Sequence, residues 1–132
     1  MSRSKVSTVS TVPGFSSVAA PIRLQPPVCR VNPLGGSAQH KLINTSNVRI
    51  AFKCKSSNEN LYKFNPVFGF IEPRGQTNLT IIRQPGPAKL DRLRVRVLPA
   101  PPGATNAERV FDERLFDPNL KAKKAEFPIN VF

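Results

Sequence analysis

Proline placement sets the first limit on what this chain can fold into. Fourteen prolines fall at positions 13, 21, 26, 27, 33, 66, 73, 85, 87, 99, 101, 102, 118 and 128. Proline has no backbone donor to give and clashes with the preceding helical turn, so it breaks a helix interior. Outside residues 34–65 no proline-free window is long enough for a helix bundle, which excludes an all-α fold. Short strands joined by Pro- and Gly-marked turns are the natural alternative. The chain's 132 residues are room for one domain, and a core of that size needs neither a metal nor oligomerisation to fold.

Period-two alternation locates the strands. Residues 22–24 and 28–31 are short β-prone pieces split by Pro26-Pro27, which demotes them to an edge. Residues 39–44 give a strand, and Asn44-Thr45-Ser46-Asn47 turns the chain back. In 48–55, Val48, Ile50, Phe52 and Cys54 point one way, and Arg49, Ala51, Lys53 and Lys55 the other. The first face is expected to be core and the second basic and wet. Residues 61–64 and 67–71 flank Asn65-Pro66, a tight corner where a cis peptide bond is expected. Glu72-Pro73-Arg74-Gly75 is a turn signal, and 78–83 is the next strand. In 91–98, Leu93, Val95 and Val97 face inward while Arg92, Arg94 and Arg96 face outward.

One segment reads as a helix. Thr105-x-x-Glu108 has the form of a capping box, and behind it Ala107, Val110, Phe111 and Leu115 share a face. Arg109–Glu113 is an i,i+4 pair, and Asp117-Pro118-Asn119 ends the helix. Residues 121–124 are a basic run and 127–132 a last strand. The count is about seven strands at roughly 8–12-residue spacing plus one short helix near the C-terminus, which describes an all-β, immunoglobulin-like sandwich. Residues 1–21, rich in Ser, Thr and Val, read as a flexible tail rather than an ordered strand through Val6, Val9 and Val12.

Lys and Arg number 20 against 8 Asp and Glu, a formal net charge of +12. Residues 1–58 hold eight cations and no acid, whereas five of the eight acids lie between Glu108 and Glu126. Such a dipolar chain suits an acidic partner, or another copy of itself. Cys29 and Cys54 are too few for a disulfide framework. One bridge between them stays open, with two reduced core thiols the favoured reading. No stretch reaches the ~20 apolar residues of a membrane span, and the N-terminus has no apolar signal-peptide core. A soluble cytoplasmic protein is expected.

Catalytic chemistry finds no constellation here. The single histidine, His40, follows a Gly-Gly turn in a polar stretch and reads as a surface or strand-edge residue. Cys29 and Cys54 stand 25 apart and offer no zinc pair. Gly35-Gly36 leads into a strand and lacks the Lys-Ser/Thr of a phosphate loop. A non-enzymatic binding protein without a cofactor is expected. Its candidate surface is the cationic face: Lys53 and Lys55 on one strand, Arg92, Arg94 and Arg96 on another. Solubility and edge protection are the bland alternative for those charges. Sequence-specific nucleic-acid reading is not expected, because the phenylalanines alternate into the core instead of interleaving with the cations.

The run from Asn44 through Ser46, Arg49-Ile50-Ala51-Phe52-Lys53 and Ser56-Ser57-Asn58 resembles the major sperm protein domain. That family carries an Asn-x-Ser turn, an Arg-Ile-x-aromatic strand and a Lys-Thr-Thr-like step. Pro66-Val67-Phe68-Gly69-Phe70-Ile71-Glu72-Pro73 is similar to its Pro-x-x-Gly-x-Ile/Leu-x-Pro stretch. Asp91-Arg92-Leu93-Arg94-Val95, Pro101-Pro102-Gly103 and Phe127-Pro128-Ile129-Asn130 continue the likeness, which covers 22–132.

The resemblance implies a seven-stranded sandwich, also PapD-like, and a place among nematode sperm proteins. In those proteins such domains dimerise and build filaments that drive amoeboid crawling without nucleotide or motor. It therefore implies a cytoplasmic, cytoskeletal protein partnered by itself or by its relatives. In the VAMP-associated branch the same domain binds acidic, phenylalanine-containing peptides in a basic groove. Carried over, groove positions are Lys53, Lys55, Ser56, Ser57, Arg92, Arg94 and, more loosely, Lys124, with Arg96 beside them. Arg94 stands where that branch has an apolar residue. No coiled coil or anchor follows Phe132, which points away from a membrane-anchored adaptor.

Overall fold

The computed structural model describes residues 20–87, 89–114 and 122–132. Two sheets face each other. The four-stranded sheet runs β1 (Ile22–Gln25), β3 (Gly36–Asn44), β7 (Gln76–Arg83), β5 (Tyr62–Asn65) in spatial order. The five-stranded sheet runs β2 (Cys29–Val31), β9 (Lys123–Val131), β8 (Asp91–Pro99), β4 (Ile50–Ser56), β6 (Phe68–Ile71). Among the described residues only β2 and β9 pair parallel. The helix α1 (Ala107–Arg114) lies between β8 and β9 in the chain.

The described residues form nine strands where about seven were expected, and proline is the reason. At Pro26-Pro27 the chain leaves β1 in one sheet and enters β2 in the other; at Pro66 it does the same between β5 and β6. Two sandwich strands are thereby cut in half, each half pairing in a different sheet. The Asn65-Pro66 peptide is cis as expected, and so is Gln25-Pro26.

Inward-facing residues build the main core: Leu42 from β3, Leu79 and Ile81 from β7, Ile50 and Phe52 from β4, Val95 and Val97 from β8, Ile129 from β9. Cys29 and Cys54 sit in it as free thiols. Burial pushes Cys29 up to about 11 and Cys54 up to about 12, so both stay protonated and unreactive at neutral pH.

The outer face of β4 is not uniformly wet. Ala51 and Leu98, paired in register across β4 and β8, are buried beneath Ala107, Val110 and Phe111 of the helix. Phe68 and Phe70 of β6 pack against this second cluster. The helix begins one residue later than the capping box suggested, with Asn106 as its cap. Asn106 Oδ1 accepts the Arg109 N–H at 3.1 Å, meeting one of the free amides of the first turn. Leu115, the Arg109–Glu113 pairing and the Asp117-Pro118-Asn119 stop lie outside the described residues and side chains. So does the expected tail, apart from Ala20, which packs on the core, and Pro21, whose carbonyl accepts the Thr45 N–H at 3.0 Å.

His40 is also corrected: it lies buried on β3, in phase with Leu42, and its Nδ1 donates to the Pro26 carbonyl at 2.9 Å. The last strand begins at Lys123 rather than 127, because β8 pairs with it from Asp91↔Ile129 to Val97↔Lys123. That ladder draws the basic run into the sheet.

Candidate protein-interaction face

Register decides which cations meet. Across β9, β8 and β4 the outward residues form rows: Lys124–Arg96–Lys53, then Glu126–Arg94–Lys55. Arg92 stands opposite Pro128 one row further on, and the Ser57 N–H bonds the Arg92 carbonyl at 3.1 Å. The structure thus gathers Lys53, Lys55, Arg92, Arg94, Arg96 and Lys124 on one face of three adjacent strands. Ser56 is not among them. It is in phase with Cys54, turns inward, is buried, and its Oγ accepts the Asn58 N–H at 3.1 Å. Ser57 is exposed, with its Oγ accepting the Arg92 N–H at 3.0 Å.

Acids temper part of the face. Glu126 takes the Arg94 Nε at 2.9 Å, and Glu59 lies 4.0 Å from the Lys55 ammonium. Both pairs are solvent-exposed and contribute little to stability. None of the described carboxylates lies within ion-pair distance of Lys53, Arg96 or Lys124. Like charges directly opposite across strands repel, so this row holds uncompensated positive charge. Lys53 has only the ring of Phe68, its ammonium 5.4 Å from the centroid.

Arg49 behaves differently from its outward neighbours. Its Nε donates to Glu72 at 2.8 Å, its Nη1 donates to the Ala104 carbonyl at 2.8 Å, and its guanidinium stacks 3.9 Å over Phe70. It fastens the loop before α1 to the sheet rather than facing a partner.

Beside the face, β4 outruns β6, whose pairing stops at Lys53↔Phe68. A cleft of about 470 Å³ opens there, with Phe64 and Val67 supplying apolar lining and Lys53, Lys55, Lys63 and Glu59 charge. Sequence reasoning missed Phe64, Val67 and Lys63 as site residues, because they come from strands whose edges meet β4 only in the folded sandwich. Among the described residues no group of His, Cys, Asp or Glu side chains could hold a metal ion, and no helix is long and apolar enough to cross a membrane. The arrangement offers charge, hydrogen-bond donors and an apolar recess. These are the means of binding.

Comparison with known proteins follows the same lines. The family model for the MSP (Major sperm protein) domain matches residues 21–119. Sperm-specific class P protein 10 of Caenorhabditis elegans is 46% identical over 86 residues, which is 65% of this chain and 79% of that protein. The structure of SSP-19, an MSP-domain protein like family member in C. elegans, superposes with a TM-score of 0.74 at 36% identity, covering 83% of this chain and 97% of that one. WR4, a C. elegans MSP family member, gives a TM-score of 0.69 at 30% identity, covering 86% and 97%.

Proposed function

This chain belongs to the major sperm protein domain family, and from that premise we propose that it is a non-enzymatic structural protein that works by self-association. Its place is the cytoplasm of a sperm cell, as a component or accessory of the filament system that supports amoeboid motility. The observation that carries this reading is the Lys124–Arg96–Lys53 row, a rigid line of cations with no described carboxylate in reach. In an isolated domain such a row costs cross-strand repulsion, whereas an acidic surface brought against it supplies complementary charge. The sperm-specific relatives and the family's filament-forming members supply the setting. The test is analytical ultracentrifugation of the whole chain. Concentration-dependent dimers are expected, and a strict monomer at high concentration contradicts the proposal.

The cleft between β4 and β5 favours a second reading, a soluble adaptor for acidic, phenylalanine-containing peptides. Phe64 and Val67 would receive the aromatic ring and Lys53, Lys55 and Lys63 the carboxylates. Titration of such a peptide against wild type and Lys55→Asp decides it. The adaptor reading requires at least a tenfold weaker affinity for the variant, and an unchanged affinity removes the cleft as its site.

A further inference from the structure

Among the described residues the strand β9 has an open edge, although it is not at the end of its sheet. On one side it pairs with β8 from Lys123 to Ile129, but on the other β2 covers only Ile129 to Val131. Among the described residues, the stretch before Ile129 therefore has a ladder on one side alone. Which backbone groups face outward follows from the bonds beyond. The Phe132 N–H donates to Val31 of β2 at 3.1 Å, so the even-numbered residues of β9 turn their amides and carbonyls toward that side. Pro128, with no N–H to give, falls in the same phase. Lys124 and Glu126 thus direct their N–H and C=O groups to the open edge. Their side chains stand on the outer face, both exposed.

We propose that this edge is where two copies of the chain meet, β9 against β9 of the second copy, antiparallel about a two-fold axis at Ala125. The inference rests on the self-association proposed above and assigns it a contact. Charge selects the register. With Ala125 facing its counterpart, Lys124 of each copy lies opposite Glu126 of the other, and these are the two residues whose backbone groups face outward. Four N–H···O=C bonds form between the strands, and two cross-strand pairs of opposite charge flank the axis. Moving the axis to Lys124 or to Glu126 sets like charge against like. Moving it to Phe127 puts Glu126 opposite Pro128, which has no amide to donate.

The same register resolves the charge imbalance of the face. The row Lys53–Arg96–Lys124 gains Glu126 of the second copy at its open end. The row Lys55–Arg94–Glu126 gains Lys124 in the same way. The two five-stranded sheets become one continuous ten-stranded sheet, closing an edge that would otherwise stay unpaired.

The test uses charge exchange in the whole chain. Lys124→Glu places Glu opposite Glu126 in a homodimer, and Glu126→Lys places Lys opposite Lys124, so each variant repels itself. Mixed together they are complementary at both pairs. Lys124→Glu gives Arg96 an opposite charge, whereas Glu126→Lys exchanges an exposed ion pair with Arg94 for a like-charge pair, so urea unfolding of each variant accompanies the sedimentation to show that the monomer stays folded. Lys124→Pro deletes an outward N–H and leaves the β8 ladder intact, which supplies a backbone test independent of charge.

Sedimentation is expected to show self-association of wild type, at least tenfold weaker self-association of each of the three variants, and recovery in an equimolar mixture of the two charge variants. If wild type associates and all three variants associate equally well, or the mixture stays monomeric, the contact is elsewhere and only the edge assignment falls. If wild type is monomeric throughout, both the contact and the self-association reading are overturned.

Discussion

Arg83 carries a full charge into the interior of the sandwich, where it is almost wholly buried. Its Nη1 donates to the Tyr62 hydroxyl at 2.7 Å and lies 3.3 Å from Asp91 Oδ2, while Nη2 reaches the carbonyls of Gly86 and Pro87 at 3.0 and 2.7 Å. The Tyr62 hydroxyl passes its own proton bond to Asp91 at 2.8 Å. Burial first, and then this bond, push the Tyr62 hydroxyl up to about 12. Removing one partner strands the other charge without water, at a cost of about 3–5 kcal/mol. Asp91→Asn and Arg83→Met should each lower the stability by that order in urea unfolding. The double change Arg83→Met with Asp91→Asn should cost clearly less than the sum of the two. An additive result would show that the pair is not coupled. This network could have been read from phase: Arg83 alternates with Leu79 and Ile81, and Asp91 with Leu93 and Val95. Ser56 carried the same signal, in phase with Cys54, against its placement on the binding face. Asn44 was readable only as a turn residue. Its Nδ2 in fact donates to the carbonyls of Val48, Ile71 and Glu72, tying together two turns 27 residues apart, and no local pattern announces that.

Alternation fixed β4, β7 and β8 closely because each buries one face, so a one-residue slip would expose its apolar set. It failed where tertiary contact overrides local preference. Ala51 and Leu98 looked outward and are covered by α1, since a helix can dock on a sheet face without leaving any period in the strand beneath. Lys123 and Lys124 read as part of a basic run ahead of the last strand and joined β9, held there by β8. The pairing of β4 with β6 contains a close approach that explains one glycine. Gly69 stands opposite Phe52 in register, and a Cβ added there would lie 2.7 Å from the Phe52 ring. Phe52 is fully buried and cannot swing clear. Gly69→Ala is expected to destabilise the domain by about 1–3 kcal/mol, the usual cost of overpacking. Chemical unfolding checks this, and a variant as stable as wild type would mean that β6 yields easily.

For the molecule as a whole, the fold class and the cationic residues of the face were readable, and their arrangement was not. Residues 53, 55, 92, 94 and 96 could be placed on outward phases and 124 only in a basic run, but only the register of three strands shows which of them stand in one row and which row lacks an acid. Six of the chain's 20 cations stand on this face, next to the β9 edge where the proposed self-association is placed. A family fold alone does not fix a function; the central claim stands on whether the chain binds itself. Sedimentation equilibrium over a wide concentration range at low salt, where surface charge is least screened, measures that directly. The account predicts a weight-average mass that rises from one 14.6 kDa chain toward twice that value. A mass that stays at a single chain at the highest concentration would contradict it.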